Sequence, residues 1–427
     1  MEKLKAELWD KVQYIFRNYY DRMIHASLVY DGNVDLDILR KSIYNVVKHF
    51  PILRSTFHSS FLNPHWVVNE DYTVEEMATK VICDDLQESV LSSLSKEISY
   101  KSKLQFEIVV HYCGDKSAIS VLVNHMCLDG TDFKYCICKI IEGYNLLARG
   151  GDIAELQLKD GSRDYSQLYK DMSEEDAEEA RKLYKNVSRT GVKNKFDFTD
   201  EKDCSTRFNF KKLQSETVQA LKAKGKEYDA TLNDVFMTAY ARAISTRLAP
   251  SDDKRLVVTS MKNLRDHIES KSSESITNLT GFMPCVLEEL GETFCDTLRM
   301  VTEKNNQSKE DKFCGLYGIP LLALAFKLFP YSIAEFAIKL GYENPLIGMS
   351  NIGIIPEEFV ELEGLKCVDT FVTGATKFKP YIQLTSTTFK GVTTLCIAQK
   401  CGDEDERRIC ELLDAIESQL MDFLSVE

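Results

Sequence analysis

The sequence has no excess of basic residues, and this excludes one large class of functions. Lysine and arginine together number 53, whereas aspartate and glutamate number 66, which gives a net charge of −13. A protein that binds nucleic acid needs a basic face that neutralises phosphates. We therefore expect no nucleic-acid partner, although a local basic patch that docks an anionic ligand is compatible with this total.

The chain also lacks a long uninterrupted apolar run. Its first ten residues contain no apolar signal core. The most apolar stretch, 319–340, is interrupted by two prolines, two lysines and one glutamate, whereas a membrane-spanning helix needs about 20 largely apolar residues. We expect no transmembrane segment. Residues 321–339 of this stretch are predicted to be helical, and this helix could either belong to the core or border an acyl or lipid path.

A metal-binding or disulfide pattern is missing among the 13 cysteines. No pair has C-x-x-C spacing, and the closest pair, Cys136 and Cys138, lies in a helical run that turns the two thiols to different faces. We therefore expect no metal site. Scattered cysteines without pairing are typical of reduced thiols, which predicts a cytoplasmic protein.

The length and the texture of the chain indicate two lobes. A chain of 427 residues exceeds one ordinary core, and its 44% apolar and 28% charged residues are typical of a soluble globular protein. Helical and strand patterns alternate throughout, which predicts an α/β (α+β) fold. We expect an N-terminal lobe over residues 1–165, a polar crossover over 166–203 and a C-terminal lobe over 204–427.

Stretch 121–130 carries the most chemically suggestive residues of the chain. A strand-like run, 118–123, leads into His125, and a helical run, 132–147, follows Asp129 and Gly130. Sites supported by rigid elements hold their geometry well, and histidine can take and return a proton near neutral pH. His125 is therefore a candidate general base, with a satisfied core histidine as the alternative.

Five short motifs follow one another in an order that carries a family resemblance. They are HFPILRSTF at 49–57, HMCLDG at 125–130, ATLNDV at 230–235, NLRD at 263–266 with NLTG at 278–281, and MSNIG at 349–353. Through these motifs, almost the whole chain resembles the chloramphenicol acetyltransferase-like acyltransferases. This superfamily includes condensation domains of peptide synthetases, alcohol acyltransferases and polyketide-associated acyltransferases.

The resemblance implies a fold and a reaction. The fold would be two chloramphenicol acetyltransferase-like lobes, each a mixed sheet flanked by helices, in a V shape with a central tunnel. The reaction would transfer an acyl group from an acyl-CoA or phosphopantetheinyl carrier thioester to a small alcohol or amine, without a permanently bound cofactor. His125 would act as the general base without an acyl-enzyme, so Cys127 would not be needed as a nucleophile.

The resemblance also suggests roles for the neighbours of His125. Asp129 could orient the imidazole, or it could point away and pair with Arg265, as the family pattern implies. Gly130 would allow a close backbone passage and offer its amide to an oxyanion, or it could be a turn glycine with positive φ. Ser350 and Asn351 could contact the oxyanion or the acceptor, or they could fasten one lobe to the other.

The replacement of one family histidine favours a free-standing enzyme. Asn124 occupies the position where condensation domains usually carry a first histidine, and the plant-type DFGWG motif is absent. No carrier or adenylation module fits within the chain, so we expect a stand-alone acyltransferase. The alternatives are a condensation-type, amide-forming protein fed by a separate carrier protein, and a catalytically silent docking member. The acceptor, the acyl length, the donor type and the oligomeric state stay open.

Overall fold

The computed structural model describes residues 2–425, which form strands and helices in alternation. The strands are β1 Lys3–Lys5, β2 Met23–Tyr30, β3 Ser55–His58, β4 His65–Val68, β5 Thr79–Ile82, β6 Phe106–Cys113, β7 Lys116–Asn124, β8 Ser205–Leu213, β9 Leu256–Asn263, β10 Thr280–Leu287, β11 Ile347–Ile354, β12 Cys367–Thr373, β13 Lys377–Phe378, β14 Ile382–Phe389 and β15 Val392–Cys401. The helices are α1 Leu8–Ile15, α2 Leu36–His49, α3 Leu86–Leu94, α4 Gly130–Ala148, α5 Glu174–Ala180, α6 Ser215–Lys226, α7 Leu232–Ser245, α8 Phe294–Glu310, α9 Ile319–Leu328, α10 Tyr331–Gly341 and α11 Asp403–Ser425.

The first lobe is built on a five-stranded sheet in the order β12-β2-β7-β6-β5. Strands β2, β7 and β6 are antiparallel neighbours, whereas β5 runs parallel to β6, so the sheet is mixed. The hairpin between β6 and β7 turns at Gly114, where φ is +62°, as its glycine predicts. Asp35 caps helix α2, because its carboxylate accepts from two backbone N–H groups.

The second lobe is built on a seven-stranded sheet in the order β10-β9-β11-β14-β15-β13, with β8 paired to β15. Strand β11 runs parallel to both β9 and β14, whereas the pairs β10–β9 and β14–β15 are antiparallel, so this sheet is also mixed. Helices α7, α8 and α11 bury their apolar faces in the core of this lobe. Helix α7 begins at a capping box between Thr231 and Asp234. The structure thus confirms a two-lobed fold with a mixed sheet in each lobe.

A small apolar cluster joins the lobes behind the central strand β7. Met23 and Leu122 of the first sheet pack there against Phe208 and Cys396 of the second sheet. Burying apolar area between two sheets in this way stabilises their relative position. Strand β7 therefore enters the junction of the lobes from a fixed direction.

Strand β12 is exchanged between the lobes. The sequence predicts a meander of three successive strands over 368–399, and this prediction is wrong for the first of them. Residues Cys367–Thr373 pair antiparallel with β2 of the first sheet, whereas β14 and β15 form a hairpin in the second sheet. Buried residues from 264–389 also join the core of the first lobe. Packing therefore does not follow a simple division of the chain at residues 165 and 204.

The apolar stretch 319–340 forms two helices, α9 and α10, separated at Pro330. Leu322, Tyr331 and Ile338 face inward and belong to the core of the first lobe. The outer faces carry large apolar side chains that are between 41% and 67% exposed: Leu321, Leu328, Ile333, Phe336 and Leu340. Within residues 2–425, neither these helices nor any other combines the length and apolarity that a membrane crossing requires.

We predict that the contact between β12 and β14 stabilises the exchange of β12. The Thr387 hydroxyl donates to the carbonyl oxygen of Val372 at 2.7 Å and accepts from its N–H at 3.3 Å. Thr387→Val should lower the free energy of unfolding by about 1–3 kcal/mol, because buried groups lose their partner. Urea unfolding measures this loss. Thr79→Val, at an exposed edge-strand position, is the control, and equal stability of the two variants would contradict the prediction.

Candidate active site

His125 stands immediately after β7, where the strand gives way to α4. Its backbone N–H donates to the carbonyl oxygen of Arg22 at 2.7 Å, which ties it to the start of β2. Asn124, at the end of β7, is fully buried, and its amide nitrogen donates to Gln105 Oε1 at 2.7 Å. Met126 and Leu128 are also completely buried. The backbone around the half-buried His125 is therefore held by packing and hydrogen bonds on both sides.

Asp129 turns its carboxylate away from the imidazole. Oδ1 caps helix α4 by accepting from the N–H groups of Thr131 and Asp132 at 3.0 and 3.1 Å. Oδ2 accepts from Arg265 Nη1 at 2.7 Å and from the Leu279 N–H at 2.8 Å. Burial disfavours the charged form, but the Arg265 guanidinium and these N–H groups hold the pKa of Asp129 below its usual range. The pairing with Arg265 that the resemblance implies is present.

Arg265 lies at the centre of a buried, charge-balanced cluster. It follows β9 in the second lobe, is 1% exposed, and also donates from Nη2 to Asp132 Oδ2 at 2.6 Å. Asp132 accepts in addition from Lys159 Nζ at 2.7 Å. Two carboxylates therefore face two cations, which offsets much of the cost of burying each charge. Arg265 does not line the cavity described next, so it acts behind Asp129.

A cavity of about 180 Å³ lies between the lobes beside His125. The first lobe contributes His125, Gly130 and Lys134 to its wall, and the second lobe contributes residues of β9, β10 and β11. Lys134 also bridges the lobes, since its ammonium donates to the Ile352 carbonyl oxygen at 2.7 Å. A ligand in this cavity would contact both halves of the molecule.

Burial favours the neutral form of the His125 imidazole. Burial lowers the pKa of His125, nearby backbone carbonyl groups and Asp129 oppose that shift, and Lys377 adds to it. The amide nitrogen of Asn278 lies 3.2 Å from Nδ1 and donates to the His125 carbonyl oxygen at 3.1 Å. A neutral ring has one unprotonated nitrogen, which is what a general base requires.

The structure contradicts two expectations for Gly130, a close backbone passage and a turn with positive φ. It is the first residue of α4, it is not among the glycines with positive φ, and a Cβ there would meet only Ile352 Cδ1, at 3.9 Å. Neither a turn conformation nor a close backbone passage therefore requires glycine. The helix cap engages the next two N–H groups, so within residues 2–425 the Gly130 N–H has no partner and lies at the positive helix end beside the cavity.

Ser350 and Asn351 line the cavity from β11 but differ in their engagement. Asn351 Oδ1 accepts from the Gly353 N–H at 2.9 Å and from Ser386 Oγ at 3.2 Å, so it shapes the bulge of its own strand. The described residues offer no hydrogen-bond partner to the Ser350 hydroxyl, which lines the cavity. The amide N–H groups of Asn351 are also free within residues 2–425, but Asn351 is exposed whereas Ser350 is half-buried, so Ser350 is the better placed donor to a ligand in the cavity.

Sequence reasoning missed two residues of the cavity. The sequence indicated Asn278 only as part of the family motif at 278–281, although this residue contacts the candidate base His125. Lys377, in the short strand β13, lines the same cavity and has no sequence signal, because nothing local to it indicates burial. Within residues 2–425, no group of three or more His, Cys, Asp or Glu side chains is arranged to hold a metal ion.

Comparison with known proteins identifies the family. The family model of the condensation domain matches residues 15–322, a span that includes His125, Asp129 and Arg265. This match covers most of the chain, so the protein belongs to the condensation domain family. A search of curated proteins finds no match.

Solved structures of low sequence identity share the fold over nearly the whole chain. Polyketide synthase associated protein 5 from Mycobacterium tuberculosis is 15% identical with a TM-score of 0.70, and the match covers 100% of this chain and 98% of that one. Trichothecene 15-O-acetyltransferase from Fusarium sporotrichioides is 11% identical with a TM-score of 0.72, over 99% and 95%. The first condensation domain of the calcium-dependent antibiotic synthetase is 13% identical with a TM-score of 0.70, over 100% and 98%. At such identities the likeness establishes the fold alone.

We predict that Asp129 contributes to stability mainly through its pairing with Arg265. Asp129→Ala would leave a buried guanidinium with one carboxylate fewer, at a cost of about 3–5 kcal/mol. Asp85, which caps α3 at the surface by accepting from the Glu88 N–H, provides a matched cap control. Asp85→Ala should cost only about 0.5–2 kcal/mol. Chemical denaturation measures the free energy of unfolding of both variants. Equal losses of this free energy would show that Asp129 acts only as a helix cap.

Proposed function

We propose that this protein is an acyltransferase that moves an acyl group from a CoA or carrier-protein thioester to an alcohol or amine. The observation that carries the proposal is the position of His125, a neutral imidazole that lines a cavity between two lobes. A second support is the carboxylate of Asp129, which is engaged elsewhere and leaves the imidazole unpaired with a negative charge. This arrangement suits a base that acts on an incoming nucleophile.

In the proposed reaction, His125 takes the proton of the acceptor hydroxyl or amine as that group attacks the thioester carbonyl. The carbonyl oxygen then carries the negative charge of a tetrahedral intermediate. The Gly130 N–H and the Ser350 hydroxyl are the candidate donors to this oxyanion. When the carbon–sulfur bond breaks, the imidazolium returns its proton to the leaving thiolate, and the ester or amide product remains.

The tautomer of His125 follows from this role. An unprotonated Nε2 facing the acceptor requires that Nδ1 carry the proton of the neutral ring. The Asn278 amide N–H cannot donate to a protonated Nδ1, so Asn278 acts as a positioning residue through its hydrogen bond to the His125 carbonyl oxygen.

Direct transfer fits the surroundings better than a covalent acyl-enzyme on a cysteine. Cys127, the thiol closest to His125 in the chain, is fully buried, and burial raises the pKa of Cys127 well above its usual range. A thiol in this state is a poor nucleophile, because the thiolate is the reactive form. We therefore assign Cys127 to the core.

A carrier-fed, amide-forming reaction is the second candidate, because the family model that matches is that of condensation domains. The same base and the same proton path would serve it, and only the thioester donor would differ. Release of thiol from an acylated carrier protein, but not from acyl-CoA, would favour this candidate. A silent docking role is the least favoured, since an open cavity beside a neutral histidine is not needed for docking.

The direct test is thiol release from a pool of acyl-CoAs in the presence of candidate alcohols and amines. We expect free thiol and an acylated product, detected by a thiol reagent and by mass spectrometry. His125→Ala should reduce the rate by about 10²–10⁴, the usual contribution of a general base. His58→Ala, at an exposed position in β3, should leave the rate unchanged. A folded His125→Ala protein with wild-type turnover would refute the assignment.

The proposal also predicts the pH dependence of the reaction. Protonation removes the base, so kcat/KM should fall on the acidic side. Burial lowers the pKa of His125, so the midpoint of this fall should lie below about 6.5, the ordinary value for histidine. A pH profile of kcat/KM measures it, and an acidic midpoint above that value would contradict His125 as the base.

A further inference from the structure

Lys377 places an ammonium group at the wall of the cavity. It belongs to the short strand β13, which runs parallel to β15. Its backbone also forms an isolated antiparallel β-bridge with Tyr20 of the first lobe. Its Nζ lies 4.3 Å from the centre of the Tyr20 ring. The adjoining loop is tied down as well, because His25 Nδ1 contacts the Gly374 carbonyl oxygen at 3.1 Å. The position of Lys377 is therefore set by both lobes.

The ammonium of Lys377 has no hydrogen-bond or ion-pair partner within residues 2–425. The carboxylate that attracts Lys377 electrostatically is that of Asp21, and its oxygens already have partners. Its Oδ1 accepts from the N–H groups of Met23 and Thr376 at 2.9 and 3.0 Å, and its Oδ2 lies 3.3 Å from His25 Nε2. Burial lowers the pKa of Lys377 to about 8, against the attraction of Asp21. A partly desolvated cation without an acceptor is costly unless a ligand supplies one.

The other charges around the cavity are already compensated. Asp129 is paired with Arg265, Lys262 is paired with Asp266, and Lys134 donates to a backbone carbonyl oxygen. Among the described lining residues, Lys377 is thus the cation left for a ligand. This local surplus of positive charge contrasts with the net charge of −13 of the whole chain.

Asn278 adds a second unsatisfied group to the same wall. It is 2% exposed, and its Oδ1 is buried without a hydrogen-bond partner while its amide nitrogen contacts His125. Buried polar atoms normally find a partner. An acceptor oxygen beside the candidate base suits a ligand that carries an N–H or O–H group.

We propose that Lys377 binds a carboxylate that the substrate carries close to the reacting group. The proposal rests on the acyl-transfer function proposed above and names a substrate class for it. The phosphates of CoA or of a carrier are separated from the thioester by the whole pantetheine arm. Lys377 and His125 line the same cavity of about 180 Å³, so the ammonium is too close to the reacting atoms to serve those phosphates. The carboxylate therefore belongs to the acceptor, as in an amino or hydroxy acid, or to the acyl group, as in a dicarboxylic monothioester.

Equilibrium binding of two matched pairs of product-like probes tests this proposal without turnover. N-octanoylglycine carries its carboxylate on the acceptor side of the amide, and N-octylsuccinamate carries it on the acyl side. Each is compared by calorimetry with its own primary amide, which has the same shape without the charge. We expect the wild type to bind one acid between about tenfold and a hundredfold more tightly than its amide, as a charge-assisted hydrogen bond would give. The pair that shows the preference identifies the source of the carboxylate.

Three lysine variants distinguish carboxylate binding by Lys377 from other roles of this residue. Lys377→Met should abolish the preference for the acid, and Lys377→Arg should retain it, with circular dichroism and urea unfolding to verify the fold. Lys262→Met removes a lining lysine that already has a partner and should leave the preference unchanged. The Arg variant keeps the test valid should the Met variant fold poorly.

Three results would overturn the proposal. They are equal binding of acid and amide in both pairs, a preference that survives in Lys377→Met, and a loss of turnover in that variant that is the same for charged and neutral acceptors while binding is unaffected. The last result would assign Lys377 to the oxyanion instead. Thiol release tests the transferase function separately, so a charge preference without any thiol release would leave the binding site standing and refute the proposed function alone.

Discussion

The buried ion pair between Asp129 and Arg265 is the constraint on which the site depends. It joins the residue that caps helix α4 in the first lobe to the turn after β9 in the second lobe, at 2.7 Å. Asp132 and Lys159 complete the charge balance. Because removal of either central partner would strand a desolvated charge, the relative position of the lobes and the start of α4 are fixed together.

This engagement of Asp129 determines the chemistry available to His125. A carboxylate directed at the imidazole would favour its protonated form, whereas a desolvated imidazole without such a partner stays neutral. The protein thus separates two tasks that a Ser-His-Asp triad combines. Asp129 supports the architecture, while the backbone, Asn278 and burial fix the ring of His125.

The charge of the cavity wall differs from that of the whole molecule. The molecule is acidic overall, yet the wall of its cavity presents lysines of which Lys134 and Lys262 are compensated by protein groups. An anionic ligand would be repelled by the molecule at long range and attracted only at the cavity. Such short-range attraction provides selectivity between substrates more than it accelerates their encounter.

The sequence by itself determined the elements and the central motif. Periodicity and turn residues are local signals, so the predicted strand-like run 118–123 and helical run 132–147 fall within the observed bounds of β7 and α4. Only the tertiary structure decided which sheet Cys367–Thr373 joins. The same holds for the space around Gly130, where a side chain would fit, and for the position of Lys377 at the cavity. Strand partners, available space and desolvation depend on residues far apart in the chain, and no local pattern encodes them.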